Sequence, residues 1–341
     1  MENVLTKDKT QIIKGIAILL MIAHHCLIKE FYLTPPDYVN SFAATSLQTG
    51  AKMCVGLFTF FIGYGCFFAQ RIDFKYISQH VWRLLKQYWI VLFVTILIVL
   101  FSCSKGLLLI ISERSTGGGN LLLLNMFGVN QHYNLGNWYI YFYIYALAVM
   151  PLFMKLMRTK LWVKTAIVII ICGLMSIFIH GDNQALQAII NCIKYTPILI
   201  MGYACAKSQI FDLIVSRIKS RYVWLVVALV AFALRCYATS VKGFVTDIVF
   251  VPIIIVAVSA MFVGKENGVI SKVLVMLGSN STLMWFVHAL PFSDATRSIF
   301  QTSPLWVNNV IVLYLCITTI SFIIAYLGNM MFYKLGIIQK R

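Results

Sequence analysis

The sequence predicts an all-α, polytopic membrane bundle of about ten transmembrane helices with both termini cytoplasmic, and three observations lead there. Of its 341 residues, 60% are hydrophobic and only 11% charged, where soluble domains carry about a quarter charged residues. The mean hydropathy is +0.85. Apolar runs of about 20 residues recur along the whole chain, and a helix of that length spans the roughly 30 Å hydrocarbon layer.

Taken in order, the first run, 10–29, contains His24 and His25 and is not followed by a small-residue cleavage site. It is therefore expected to stay as a helix and not to be removed as a leader. Runs at 48–70 and 84–103 form the second and third spans, the third introduced by Trp82-Arg83-Leu84-Leu85-Lys86. Two short pieces, 106–111 and 121–128, flank the Gly117-Gly118-Gly119 break and are expected to be re-entrant or interfacial. The fourth span, 137–156, opens on aromatic residues, and 162–180 is the fifth. The sixth, 186–206, holds Asn191, Lys194 and Pro197. The seventh, 222–241, holds Arg235, and the eighth, 244–263, holds Asp247. The ninth, 279–299, carries Trp285, His288 and Pro291, and 305–333 is the tenth.

No low-complexity tract, short repeat or long polar insertion divides the chain, so residues 1–341 are expected to form one membrane domain. Lys plus Arg number 28 against 11 Asp plus Glu, a net charge of +17. In a soluble protein that excess would suggest a nucleic-acid partner. Topology explains it better and no nucleic acid is expected: with the N-terminus inside, twenty of the cations fall in cytoplasmic segments and seven opposite, Lys194 remaining inside the sixth span. Nine cysteines, mostly within apolar runs and without paired ligand spacing, predict neither a disulfide framework nor a metal site.

Chemistry concentrates in a few polar side chains. Lys14 and His25 are eleven steps apart on the first helix, about 20° past three full turns, so they share one face about 16 Å apart along the axis. One face thus links the cytoplasmic edge to mid-membrane depth. An anionic cofactor held at Lys14 with proton transfer at His25 would use that geometry; a snorkelling lysine and a packed histidine are the alternative. His24 points about 100° away and is the structural candidate. His80, Arg83 and Lys86 stack at i, i+3 on the cytoplasmic rim, where they suit phosphates or serve as ordinary positive flanking. His288 is a candidate site wall, with a histidine hydrogen-bonded between packed helices as the alternative, and Arg235 is expected to pair with Asp182 or Asp247, with binding of an anionic substrate as the alternative. The aromatic stretch from Tyr133 to Tyr145 is read as an interfacial belt, with sugar stacking as the alternative. Asp294 and Arg297 are read as a local ion pair.

In these landmarks the chain resembles the acyltransferase-3 family of integral-membrane acyltransferases. The resemblance rests on the basic residue, ten residues, then His of the first helix (Lys14, His25) and the basic-x-x-basic pair of the third (Arg83, Lys86). Asn137-Trp138-Tyr139-Ile140 leading to Pro151, and Leu277-Gly278-Ser279-Asn280-Ser281 followed by Trp285 and His288, follow in family order. Lys86 stands where the family usually has Arg, keeping the charge without the bidentate fork.

The resemblance implies transfer of an acyl group, most often acetyl from cytoplasmic acetyl-CoA, to a hydroxyl of a glycan or lipid-linked saccharide at the outer face of the inner (plasma) membrane. It implies His25 as catalytic base or transient acyl carrier. Lys14, Arg83 and Lys86 would bind the donor, and His288, Trp285 and Trp138 the acceptor. The lipid bilayer is the remaining partner, and association into a homo-oligomer is left open. A transporter or flippase for a lipid-linked sugar is the alternative, since polar groups and prolines within spans would serve it too. A non-catalytic scaffold is a third, in which His25 is dispensable.

Overall fold

A computed structural model describes residues 4–32, 34–69, 71–102, 107–114, 120–179, 184–242, 246–303 and 306–336. Among these the regular structure is helical, with no strand. The helices are α1 Lys7–Cys26, α2 Phe42–Ala51, α3 Met53–Phe68, α4 Phe74–Ser102, α5 Leu107–Ser112, α6 Leu121–Met126, α7 Tyr139–Leu156 and α8 Leu161–Phe178. They continue with α9 Gln184–Ser208, α10 Ile210–Arg217, α11 Arg221–Lys242, α12 Asp247–Met261, α13 Val269–Val287, α14 Arg297–Gln301 and α15 Val310–Lys334.

A helix stands at each of the ten expected places, and eight of them are long and apolar enough to cross a membrane. The other two are α1 and α12. Gln11, Lys14, His24 and His25 lower the hydropathy of α1, and α12 is only 15 residues long. Both are packed inside the bundle, α1 against α13, α3 and α2, and α12 against α11, α3 and α9. Surrounding helices rather than lipid cover them, which is where polar groups at membrane depth are tolerated.

Three boundaries differ from expectation in ways that bear on the site. The third span begins at Phe74 rather than 84, because the helix runs on into polar sequence that a hydropathy window ignores; His80, Arg83 and Lys86 lie inside it. The ninth is not 279–299: α13 covers Val269–Val287, and Pro291 sits in the short 3-10 turn Leu290–Phe292 that follows. Proline cannot supply the backbone N–H that a continuing helix requires. The tenth begins at Val310, where the Asn309 side chain accepts from the N–H groups of Ile311 and Val312. The Gly117-Gly118-Gly119 break lies outside the described residues.

Glycines set the closest helix contacts. A Cβ at Gly15 would meet the Leu274 carbonyl and one at Gly278 the Gln11 carbonyl, so α1 and α13 touch backbone to backbone. Small residues serve membrane packing in this way, letting dispersion act at short range where no hydrophobic gain is available. The expected result for Gly278→Leu is a loss of about 1–3 kcal/mol, read as a lower unfolding midpoint of the detergent-solubilised protein. An unchanged midpoint would show that the two helices are not held this closely.

The loop before α7 is pinned by buried amides. Asn137 Nδ2 donates to Tyr88 Oη at 2.9 Å and to the Asn130 carbonyl at 2.6 Å, and Asn134 Nδ2 donates to the Phe286 carbonyl at 2.9 Å. Buried amides of this kind hold one backbone geometry because an unmade bond is expensive. Tyr133 in the same loop is buried and donates to Glu113 Oε2 at 3.0 Å; burial first, then this carboxylate, push its phenol pKa up. The loop is thereby fixed against the end of α13.

Candidate active site

The ends of α1 and α13 bring two histidines together. His25 Nδ1 and His288 Nε2 are 2.9 Å apart, with the rings stacked at 5.0 Å and 20°. His288 Nδ1 lies 2.9 Å from the Met284 carbonyl. A carbonyl only accepts, so Nδ1 of His288 carries a proton. In a neutral His288 ring Nε2 then offers its lone pair, so the bond between the rings places the His25 proton on Nδ1. That leaves His25 Nε2 unprotonated, and it has no hydrogen-bond partner among the described residues. Phe292 and Phe31 flank the His25 ring at 5.7 and 6.4 Å. His24 points elsewhere, its Nδ1 donating to the Gln48 carbonyl at 2.8 Å.

His288 therefore sits elsewhere than expected. It caps α13 instead of lying half a span into it, is fully buried, and has both ring nitrogens engaged. Its surroundings leave no polar atom of the ring for a ligand.

A cavity of about 600 Å³ lies alongside α1. Lys14, His80 and Arg83 line it, and so do Tyr139, Tyr143 and Trp285. Cavities of this size hold cofactor-sized ligands. Lys9, by contrast, is buried and spent on Glu266, 3.4 Å away. The Trp285 indole packs on Tyr139 at 4.7 Å and edge-on to Phe58 at 5.0 Å, and its Nε1 donates to the Gly136 carbonyl at 2.8 Å. His25 and His288 do not line the cavity; Trp285, three residues before His288, lines its wall. Lys86 and Trp138 lie outside it as well, Trp138 packing against Tyr195 at 5.8 Å.

With this geometry in view, the family model described as "Acyltransferase domain" matches residues 10–330. The chain belongs to the acyltransferase-3 family. No curated protein matches it, and no solved structure does. Membership makes the protein a membrane acyltransferase with a donor and an acceptor, and it does not favour a transporter or flippase. Among the described residues no three His, Cys, Asp or Glu side chains gather as a metal site.

The remaining polar groups of the acyltransferase divide between scaffold and site. Arg235 and Asp247 are both buried and paired, Nη2 to Oδ1 at 2.8 Å and Nε to Oδ1 at 2.9 Å, and Arg235 Nη1 also donates to the Thr49 carbonyl. Asp182, the other expected partner, lies outside the described residues. Asp294 and Arg297 form a surface pair at 3.2 Å. The aromatic side chains of this stretch pack against the core of the bundle. Tyr133 is buried, Tyr139 and Tyr143 line the cavity, Asn191 Nδ2 donates to Tyr141 at 2.9 Å, and Tyr145 bonds Thr196 at 2.9 Å. Sequence reasoning placed these tyrosines at a membrane edge because their hydropathy is the same in either setting. It also passed over Lys52, counted only as an outer cation, although its backbone N–H bonds the same Gln48 carbonyl that receives His24.

Proposed function

We propose that the acyltransferase moves an acetyl or related acyl group from cytoplasmic acyl-CoA to a hydroxyl of a cell-surface glycan or lipid-linked saccharide, at the inner (plasma) membrane, with His25 as general base. The observation that carries this reading is the hydrogen-bonded histidine pair, which leaves His25 Nε2 free at the C-terminal end of α1, the helix that also brings Lys14 to the cavity.

The chemistry follows from that arrangement. The acceptor hydroxyl gives its proton to His25 Nε2 as its oxygen attacks the thioester carbonyl. The carbon–sulfur bond breaks, and the departing thiolate takes the proton from the imidazolium. While His25 is cationic, its Nδ1–H bond to His288 Nε2 is charge-assisted and stronger, so His288 acts as a positioning residue. It both sets the tautomer of the base and steadies its charged form.

Donor binding uses the cationic end of the cavity. Lys14 and Arg83 suit the phosphates of a coenzyme A nucleotide, whose flexible arm runs along the tyrosine-lined wall towards Trp285. His25 does not line the cavity, and Trp285, three residues before His288, does; in this mechanism the indole moves aside as the thioester arrives. Lys14→Met and Arg83→Met are expected to raise the Michaelis constant for acetyl-CoA about tenfold each and to flatten its salt dependence, with kcat little changed. Initial rates at several ionic strengths measure this. A donor constant unaffected by both substitutions would remove these cations from donor binding.

A further inference from the structure

Besides its cations, the donor cavity is lined by an unpaired carboxamide. Gln87 is 7% exposed, and its Oε1 is enclosed without a hydrogen-bond partner. Its Nε2 makes no hydrogen bond among the described residues either. A buried amide left unbonded destabilises a fold, so packing alone gives no reason for glutamine here; methionine would fill nearly the same volume. Gln11, three residues before Lys14, also has a buried, unpartnered Oε1 and lines the same cavity. The cavity wall thus carries hydrogen-bonding groups that the protein itself does not satisfy, a condition that calls for an explanation beyond structure.

Position narrows what Gln87 can bind. It follows Arg83 by four residues on α4, so the two side chains share one face, with Gln87 about 6 Å further along the axis. Tyr88, its neighbour, packs on Phe286 at 5.0 Å, and Phe286 and Trp285 both line the cavity. Gln87 therefore lies on the stretch from Arg83 towards Trp285. A phosphate held at Arg83 brings the group linked to it, one helical turn on, to Gln87. In acyl-CoA that group is the arm, an uncharged chain whose amides each offer an N–H and a carbonyl. A carboxamide has the matching complement of donor and acceptor, and a half-turn about its last bond exchanges the two ends.

We infer that Gln87 binds the arm of acyl-CoA through the arm's amides, while Arg83 holds the phosphates one turn away. The inference rests on the donor-binding reading above and deepens it: the cavity recognises an amide-bearing arm as well as a charged nucleotide. Bonded in this way, the arm sets how far the thioester reaches towards Trp285. Gln87 takes no part in proton transfer and acts as a binding and positioning residue.

The test is calorimetric binding to the full-length protein in nanodiscs with two probes. One is coenzyme A; the other is adenosine 3′,5′-bisphosphate, which keeps the base and charged groups but has no arm. In Gln87→Met the affinity for coenzyme A should fall about tenfold, as expected for losing one or two hydrogen bonds, while that for the bisphosphate stays at its wild-type value. Arg83→Met should weaken both. The unfolding midpoint of ligand-free Gln87→Met should stay level or rise, because the substitution removes an unbonded buried oxygen. Unchanged coenzyme A affinity, an equal loss for both probes, or a lowered midpoint would each overturn the inference, the last by showing that Gln87 is structural; donor binding at Lys14 and Arg83 would stand in all three cases. A wild-type protein that does not bind coenzyme A overturns the donor reading and this inference with it.

Discussion

His25→Ala abolishes acyl transfer to within background, a drop of about 10²–10⁴ in kcat of the size usual for loss of a general base, while donor affinity and the unfolding midpoint stay near wild type. The expectation follows from where the ring sits. His25 Nε2 is the atom that the hydrogen-bonded chain from the Met284 carbonyl through His288 leaves unprotonated, and Lys14, the cation proposed to hold the donor, is about 16 Å away along the same face. Donor binding and proton transfer are thus separable by substitution. His288→Ala is a milder case of the same argument. It removes the partner that fixes the tautomer, so it lowers kcat and shifts the pH–rate profile without altering the donor constant. A purely structural His288 would leave the profile of the surviving activity in place. Rapid-quench mass spectrometry on wild type separates the direct route from a covalent one, since an acyl-histidine would accumulate only in the latter.

Asp247→Asn is the second substitution with a large expected effect, and here the effect is on stability. It leaves the buried Arg235 guanidinium bonded to the Thr49 carbonyl with no counter-charge, and breaking a buried pair on one side costs about 3–5 kcal/mol. The pair ties α11 to the start of α12 and, through Thr49, to α2, which also carries the carbonyl that holds His24. The expected outcome is a large fall in monodisperse yield and in the unfolding midpoint. The double substitution Arg235→Met with Asp247→Leu should recover much of both, because it removes the uncompensated charge rather than exposing it. A double variant as unstable as the single one would mean that the pair does more than cancel its own charge.

The bundle was legible from hydropathy because helices are the one form in which a chain of this composition satisfies its backbone in lipid. The spacing of Lys14 and His25 was legible for the same reason, since helical geometry alone puts them on one face. What could not be read were the ends of elements and the direction of aromatic side chains. Trp285 and His288 were placed in mid-helix because the apolar window from 279 is indistinguishable from a continuing helix until Pro291 is seen to end it. Tyr139 and Tyr143 look alike in an interfacial belt and along a cavity wall; only the packing of α7 decides. The bond between His25 and His288 joins residues 263 apart in sequence, and no local pattern announces it.

In the proposed mechanism the donor is bound between Lys14 and Arg83, and its thioester passes Trp285 to reach His25. A structure of the protein in nanodiscs with a non-hydrolysable acetyl-CoA analogue tests this most directly. The predicted result has the nucleotide phosphates against Lys14 and Arg83, the Trp285 ring displaced from its packing on Tyr139, and the acyl carbonyl within about 3–4 Å of an acceptor position beside His25 Nε2. An analogue bound outside this cavity, or one seated in it with Trp285 unmoved and the acyl group still walled off from His25, would contradict it.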